Sequence, residues 1–248
     1  FIADVHQSKE LLFSFGEKIA ELNIALQSAE SLVLSSRRLF WDIQNAPMSE
    51  HKIEYIAEPE KRKLVEYYFD RFANFVLPVQ HSLRHSIIHG DLNDYNVLVE
   101  GESINGFLDF GDATYSPMIN ELAVALTYMM LNKQNPFEAI APIICGYQKH
   151  IALTNNEIEL LPDLITSRLC ISLCNSAEKK HLGQDNNYVL ISEKPAWQLL
   201  ELWARTNPVK IQRCFYEAAN IKKSDSIQKD EMIKIRAMHT GKSLGLSY

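Results

Sequence analysis

Asp91, Asn96 and Asp109 fall in the stretch HGDLNDYNVLVEGESINGFLDFG, residues 89–111. A carboxylate, a neutral amide five positions later and a second carboxylate inside an Asp-Phe-Gly triplet are the parts that phosphoryl transfer to a hydroxyl needs. Negative charge spreads over the phosphoryl oxygens in the transition state, so oxygen ligands for magnesium and a base beside the nucleophile are required. Asp91 follows the strand-like Ser86-Ile87-Ile88-His89 and would sit on a loop, accepting or orienting the proton of the attacking hydroxyl. Asn96 and Asp109 would hold Mg, a hard ion that keeps several waters while it bridges the phosphates of ATP. His89 reads as a loop histidine that bonds the backbone near the Asp-Phe-Gly turn and sets catalytic geometry rather than shuttling a proton. Asp112 either faces a cationic substrate or helps start the next helix. Asn93 and Asp94 suit the turn itself, because short polar side chains bond neighbouring backbone groups.

The elements around these residues are short strands and many helices. Val97-Leu98-Val99, a turn containing Gly101, and Gly106-Phe107-Leu108 fit one hairpin. From Lys9 to Gln27, Leu11, Leu12, Phe15, Ile19, Leu22 and Leu26 recur at three and four, as a one-sided helix requires. A second helix starts near Glu58, with Pro59 in its first turn and Leu64, Tyr68, Phe72 and Phe75 facing inward, and ends by Pro78. Ile119 to Leu131 is nearly continuous in apolar residues, so that helix is expected to be buried on most sides beneath the metal-binding turn. Further helices are expected at Phe137 to Ile151, Glu157 to Ser176 and Pro195 to Thr206, with a polar break from His181 to Asn187.

The spacing of Asp91, Asn96 and Asp109 matches the protein-kinase patterns H-R-D-L-x-x-x-N and D-F-G, with Gly90 in place of the Arg. The string HGDLNDYN resembles the signature of the aminoglycoside phosphotransferase and choline kinase family of small-molecule kinases. The resemblance runs from about Glu10 to Trp203, with its specific part at residues 87–125. It implies the C-terminal lobe of a protein-kinase-like (α+β) fold, mainly α with a small β-hairpin. Its hydroxylysine-kinase- and homoserine-kinase-like members look most similar, which implies an amino alcohol as acceptor. For such an acceptor, Phe40-Trp41-Asp42 offers an aromatic face beside a carboxylate able to hold an ammonium group; a core Trp41 beside a surface Asp42 is the other reading.

Two other readings stay open. An antibiotic-modifying kinase would use the same residues and predicts an acidic cluster near Asp112. A pseudokinase-like module of a larger enzyme would bind without turnover.

Parts of the kinase scheme are not found in this sequence. A Gly-rich loop and a strand-borne Lys belong to an N-terminal lobe, yet the first 85 residues contain only Gly16 among their glycines and read as helical. The expectation is therefore a C-terminal lobe over residues 1–220, its catalytic hairpin at about 86–112, covalently linked to an N-terminal lobe that lies before Phe1. Residues 221–248 are expected to be a linker, KKSDSIQKDE, and the start of a further domain. There KIRAMHTGKSLGLSY, Lys234 to Tyr248, resembles the lead-in to a class III aminotransferase, so pyridoxal phosphate (PLP) would belong only to that following domain. Gly241-Lys242-Ser243 is not a phosphate-binding loop, since Arg236 stands where that motif needs Gly.

Composition bounds the partners. With 46% hydrophobic and 23% charged residues, the 248-residue chain has an ordinary globular balance. A net charge of -6 argues against a nucleic-acid surface, no apolar run reaches a membrane span, and Phe1 onward is unlike a signal peptide. Cys145, Cys170, Cys174 and Cys214 lack metal-site spacing and read as reduced, which suits a cytoplasmic enzyme acting on a small molecule.

Overall fold

A computed structural model describes residues 1–29, 32–184 and 187–221. The segments expected to form the linker and the aminotransferase lead-in, from Lys222 to Tyr248, lie outside the described residues. The fold is mainly helical, with two small antiparallel sheets.

Helix α1 (Lys9–Gln27) starts where Ser8 accepts a hydrogen bond from the Leu11 amide, and it buries Leu11, Leu12, Phe15 and Ile19. A single short helical turn, α2 (Leu32–Ser36), follows. Asp42 then caps a run of 3-10 turns at Ile43–Tyr55, kinked at Asn45 and interrupted by Pro47. No apolar period marks that run, and sequence reading did not anticipate it. Helix α3 (Pro59–Arg71) begins at its proline and passes into a π-turn at Phe72–Val76, closed by the Leu77 amide on the Phe72 carbonyl at 2.9 Å. That i→i+5 bond shifts the inward face by one residue. Val76 is therefore buried, whereas Phe75, expected to face inward, stays partly exposed.

Strand β1 (His85–Ile88) leads to the catalytic loop, and the hairpin β2 (Val97–Glu100) and β3 (Ser103–Phe107) follows. Gly101 turns the hairpin at φ +61°, a backbone region that favours glycine. Strand β4 (Thr114–Pro117) returns antiparallel to β1, pairing Ile88 with Thr114 and His85 with Pro117. The loop after Ile88 and the Asp-Phe-Gly turn before Thr114 thus leave the same end of one strand pair. Sequence reading did not foresee this closure.

Helix α4 (Ile119–Met130) follows β4 and is buried along nearly its whole length. A 3-10 turn at Pro136–Ala139 precedes α5 (Ile140–Tyr147), which packs along α1. The expected helix from Phe137 to Ile151 is thus shorter and begins as a tighter turn. Helix α6 (Asn155–His181) opens with Thr154 and Glu157 capping each other's backbone amides and runs through the core past Pro162. It packs on α4, α3 and the 3-10 run, and also on α7 (Asn187–Arg205) and α8 (Pro208–Ala218). Helix α7 starts well before Pro195, which lies inside it.

Candidate active site

The strand pair brings the expected catalytic residues together. Gly90 has φ +81°, and a Cβ there would stand 2.9 Å from the Asp112 carbonyl oxygen. Both facts call for glycine at this position, so Gly90 lets the catalytic loop and the Asp-Phe-Gly turn touch. The Leu108 amide donates to the Asn96 carbonyl at 2.9 Å, which brings Asp109 beside the loop's far end.

His89 is fully buried. Its Nε2 donates to the Leu108 carbonyl at 2.8 Å, while its Nδ1 accepts from the Asp91 amide at 3.3 Å. One ring nitrogen donating and the other accepting is the neutral imidazole. The ring spans from the loop after β1 to the Asp-Phe-Gly turn, and Phe110 packs on it at 4.6 Å between centroids.

Asp91 is hydrogen-bonded on both oxygens. Asn93 donates to Oδ2 at 2.8 Å and Arg168 donates to Oδ1 at 2.7 Å. Asn96 turns its Nδ2 to the Asp91 carbonyl at 2.9 Å, which leaves its Oδ1, the atom a hard cation takes, outside that bond. Asp109 lies in the left-handed region at φ 59°, ψ 72°, held there as its Oδ1 accepts the Gly111 amide at 3.1 Å. Such backbone strain collects at functional turns. Arg37 steadies this turn by donating to the Gly111 and Ala113 carbonyls at 2.5 and 3.2 Å. Among the described residues no three His, Cys, Asp or Glu side chains lie close enough to cage a metal. An amide and a carboxylate, with waters and phosphates completing the sphere, are the donors that suit magnesium.

A cleft of about 380 Å³ opens beside Asp91, walled by Asp94, Asp112, Trp41, Phe40, Tyr128 and Arg168, with Asn175, Glu178 and Lys179 also in its lining. Burial, then the charge of Asp91, raises the carboxyl pKa of Asp112; burial, then Asp4 and Asp91, does the same for Asp94 despite a backbone hydrogen bond. Asp91 thus repels each of these carboxylates, while Arg168 and Arg37 draw the Asp112 pKa back down.

Trp41 and Asp42 separate here. Trp41 reaches the cleft, edge-on to Phe40 at 4.5 Å. Asp42 does not line it: its carboxylate is buried, accepts Ser116 Oγ at 2.8 Å and Gln44 Nε2 at 2.6 Å, and has a pKa raised by burial. It caps the 3-10 run and ties that run to β4. The Phe40 ring already carries a cation, Lys52 Nζ at 4.0 Å from its centroid, and Lys52 in turn pairs with Glu178 at 2.7 Å.

Sequence reading missed two charged groups that shape this site. Glu121, fully buried in the first turn of α4, accepts the His89 and Gly90 amides and so fixes the start of the catalytic loop. Burial pushes its pKa up to about 8, against those two hydrogen bonds. Arg168 on α6 is the second, a buried guanidinium that also donates to the Trp41 carbonyl at 2.8 Å and the Tyr128 hydroxyl at 3.2 Å. Both were readable in outline, since a lone Glu in INELAVALTYMM and a lone Arg amid the apolar residues of α6 must find partners if buried.

The model of the phosphotransferase enzyme family matches residues 3–142. Hydroxylysine kinase of Mus musculus is 30% identical over 237 residues, covering 90% of this chain and 63% of that protein. The chain therefore spans less than two thirds of the length of that relative. Among solved structures, a microcompartment-associated aminopropanol kinase superposes with a TM-score of 0.61 at 18% identity, over 80% of this chain and 62% of that one. Amicoumacin kinase hAmiN, solved with AMP-PNP, Ca2+ and Ami, superposes with a TM-score of 0.56 at 15% identity, over 79% and 59%. These two share the kinase-like fold. With more than half of its residues matched by the family model and its loop and turn closed as described, the chain belongs to the phosphotransferase enzyme family.

Proposed function

We propose that this chain forms the acceptor side and metal-binding turn of a kinase that moves the γ-phosphoryl group of ATP to the hydroxyl of a small amino alcohol. One observation carries the reading: Asp91, the carboxylate of the catalytic loop, stands at the wall of a cleft that also holds Asp94 and Asp112, while its remaining acid, Glu178, is paired with Lys52. The cleft's volume suits a small molecule, and its acidic side favours an acceptor with an ammonium group. The similarity to hydroxylysine kinase supports the same acceptor class.

In this reading the acceptor oxygen bonds to the γ-phosphorus as the bond to the bridging oxygen of ADP breaks, and Asp91 takes the hydroxyl proton. Asn96 and Asp109 would hold magnesium, which would supply neutralisation of the phosphate charge. His89 acts on geometry, joining loop and turn. Asp112 is the acid assigned to the acceptor's ammonium, with the Trp41 ring as the apolar wall.

The test is phosphoryl transfer from ATP by the intact protein to hydroxylysine, ethanolamine, homoserine and an aminoglycoside. Turnover with one of the first three supports the proposal. Turnover only with the aminoglycoside, or with none despite tight ATP binding, refutes it in favour of an antibiotic-modifying kinase or a non-catalytic module.

A further inference from the structure

Resting on the kinase reading above, we infer that Arg168 is a positioning residue for the catalytic carboxylate, linking Asp91 to the acceptor wall at Trp41. Its guanidinium donates to both through its two terminal nitrogens, Nη2 to Asp91 Oδ1 at 2.7 Å and Nη1 to the Trp41 carbonyl at 2.8 Å. The planar fork makes this a two-point brace that an ammonium could not reproduce.

Three features separate this contact from an ordinary structural ion pair. Arg168 is only 7% exposed at its side chain whereas Asp91 is 21% exposed, so the arginine approaches the catalytic carboxylate from the buried side. The hydrogen bonds to Asp91 leave acceptor capacity on Oδ1, since a carboxylate oxygen carries two lone pairs and Arg168 takes one. The guanidinium is itself fixed, by the Tyr128 hydroxyl at 3.2 Å and the Tyr128 ring, whose centroid lies 5.6 Å from its Cζ. Burial opposes its charge, yet Tyr128, Asp91 and Asp112 outweigh burial and hold its pKa above the usual arginine value. A cation kept charged in the core, at the back of Asp91, sets which carboxylate edge meets the hydroxyl.

Because the role runs through Asp91, its signature is non-additivity. In the intact protein Arg168→Ala is expected to lower kcat about 100-fold, the scale of a small misplacement of a reacting group. The acceptor KM should change less than about threefold. Added guanidinium should restore part of kcat. In an Asp91→Asn background the same Arg168→Ala change should reduce the residual rate by less than about threefold. Equal losses in both backgrounds, or an unchanged kcat in the Asp91 protein, overturn the inference.

If Arg168→Ala does not fold, Tyr128→Phe removes only the hydroxyl partner and keeps its packing; a kcat about fivefold lower is expected there, and an unchanged kcat overturns the inference. Failure of the kinase reading itself looks different, as an inactive wild type or a fully active Asp91→Asn.

Discussion

Helices α1 and α5 cross so closely that a methyl group on Gly16 or Gly146 would stand 2.0 Å from a backbone oxygen of the opposite helix. The segment from β1 to β4 is held differently. It has a few buried apolar anchors, such as Ile88, Leu92 and Val97, and its shape is set by His89, which bonds the Leu108 carbonyl within it, and by side chains that reach in from outside: Glu121 to the loop amides, Asp42 to Ser116 and Arg168 to Asp91. Under the proposed function the Asp91 carboxylate must meet substrate, so it cannot be fixed by complete burial. Directional bonds from buried partners fix it instead, and a buried polar group left unpaired is costly.

The contrast predicts that damage to the helical body removes stability and leaves the activity of each folded molecule intact. The largest such effect is expected at Arg71 and Asp163, which join α3 to α6 by two bonds of 2.6 and 3.0 Å. Arg71→Met strands a buried carboxylate and should cost about 3–5 kcal/mol in urea denaturation. A loss under about 1 kcal/mol would show that water reaches the pair. Next comes Gly146→Ala, where the new methyl must push the Phe13 carbonyl aside; about 1–3 kcal/mol is expected, with kcat per folded molecule unchanged. A large fall in kcat would mean that the two regions are coupled more tightly than their contacts indicate.

Glu121 joins the regions, and its effect is smaller and depends on pH. Between the ordinary value of 4.5 and the folded value of about 8, the native state keeps a proton that the unfolded chain has released. Its contribution is therefore complete below 4.5 and is lost as pH rises through about 8. Urea midpoints should fall with rising pH more steeply in the wild type than in Glu121→Gln, which keeps an acceptor for one loop amide but does not titrate. Parallel curves would remove Glu121 from this role.

Much of the helical body was legible because periodicity survives burial. Helix α1 has the bounds that its apolar spacing gives, and α3 starts at Pro59 as a helix-favouring proline suggests. The hairpin was legible from two short apolar runs around Gly101. The β1–β4 pairing was not, because strands of four residues carry little alternation and their partners lie far apart in sequence. The 3-10 run at Ile43–Tyr55 has no period of its own. In the site, residues inside the local motif could be named in advance, whereas Arg168 lies 77 positions from Asp91. Asp42 shows the converse hazard, since adjacency to Trp41 in sequence suggested a shared pocket that its buried hydrogen bonds to Ser116 and Gln44 do not provide.

The most direct test of this account is the rate of phosphoryl transfer to the preferred amino alcohol by the intact protein, beside Asp91→Asn, with urea denaturation of both. The account predicts a kcat about 1000-fold lower in the variant, with denaturation midpoints that coincide. A variant that keeps its rate within about tenfold would contradict the assignment of Asp91 as the base.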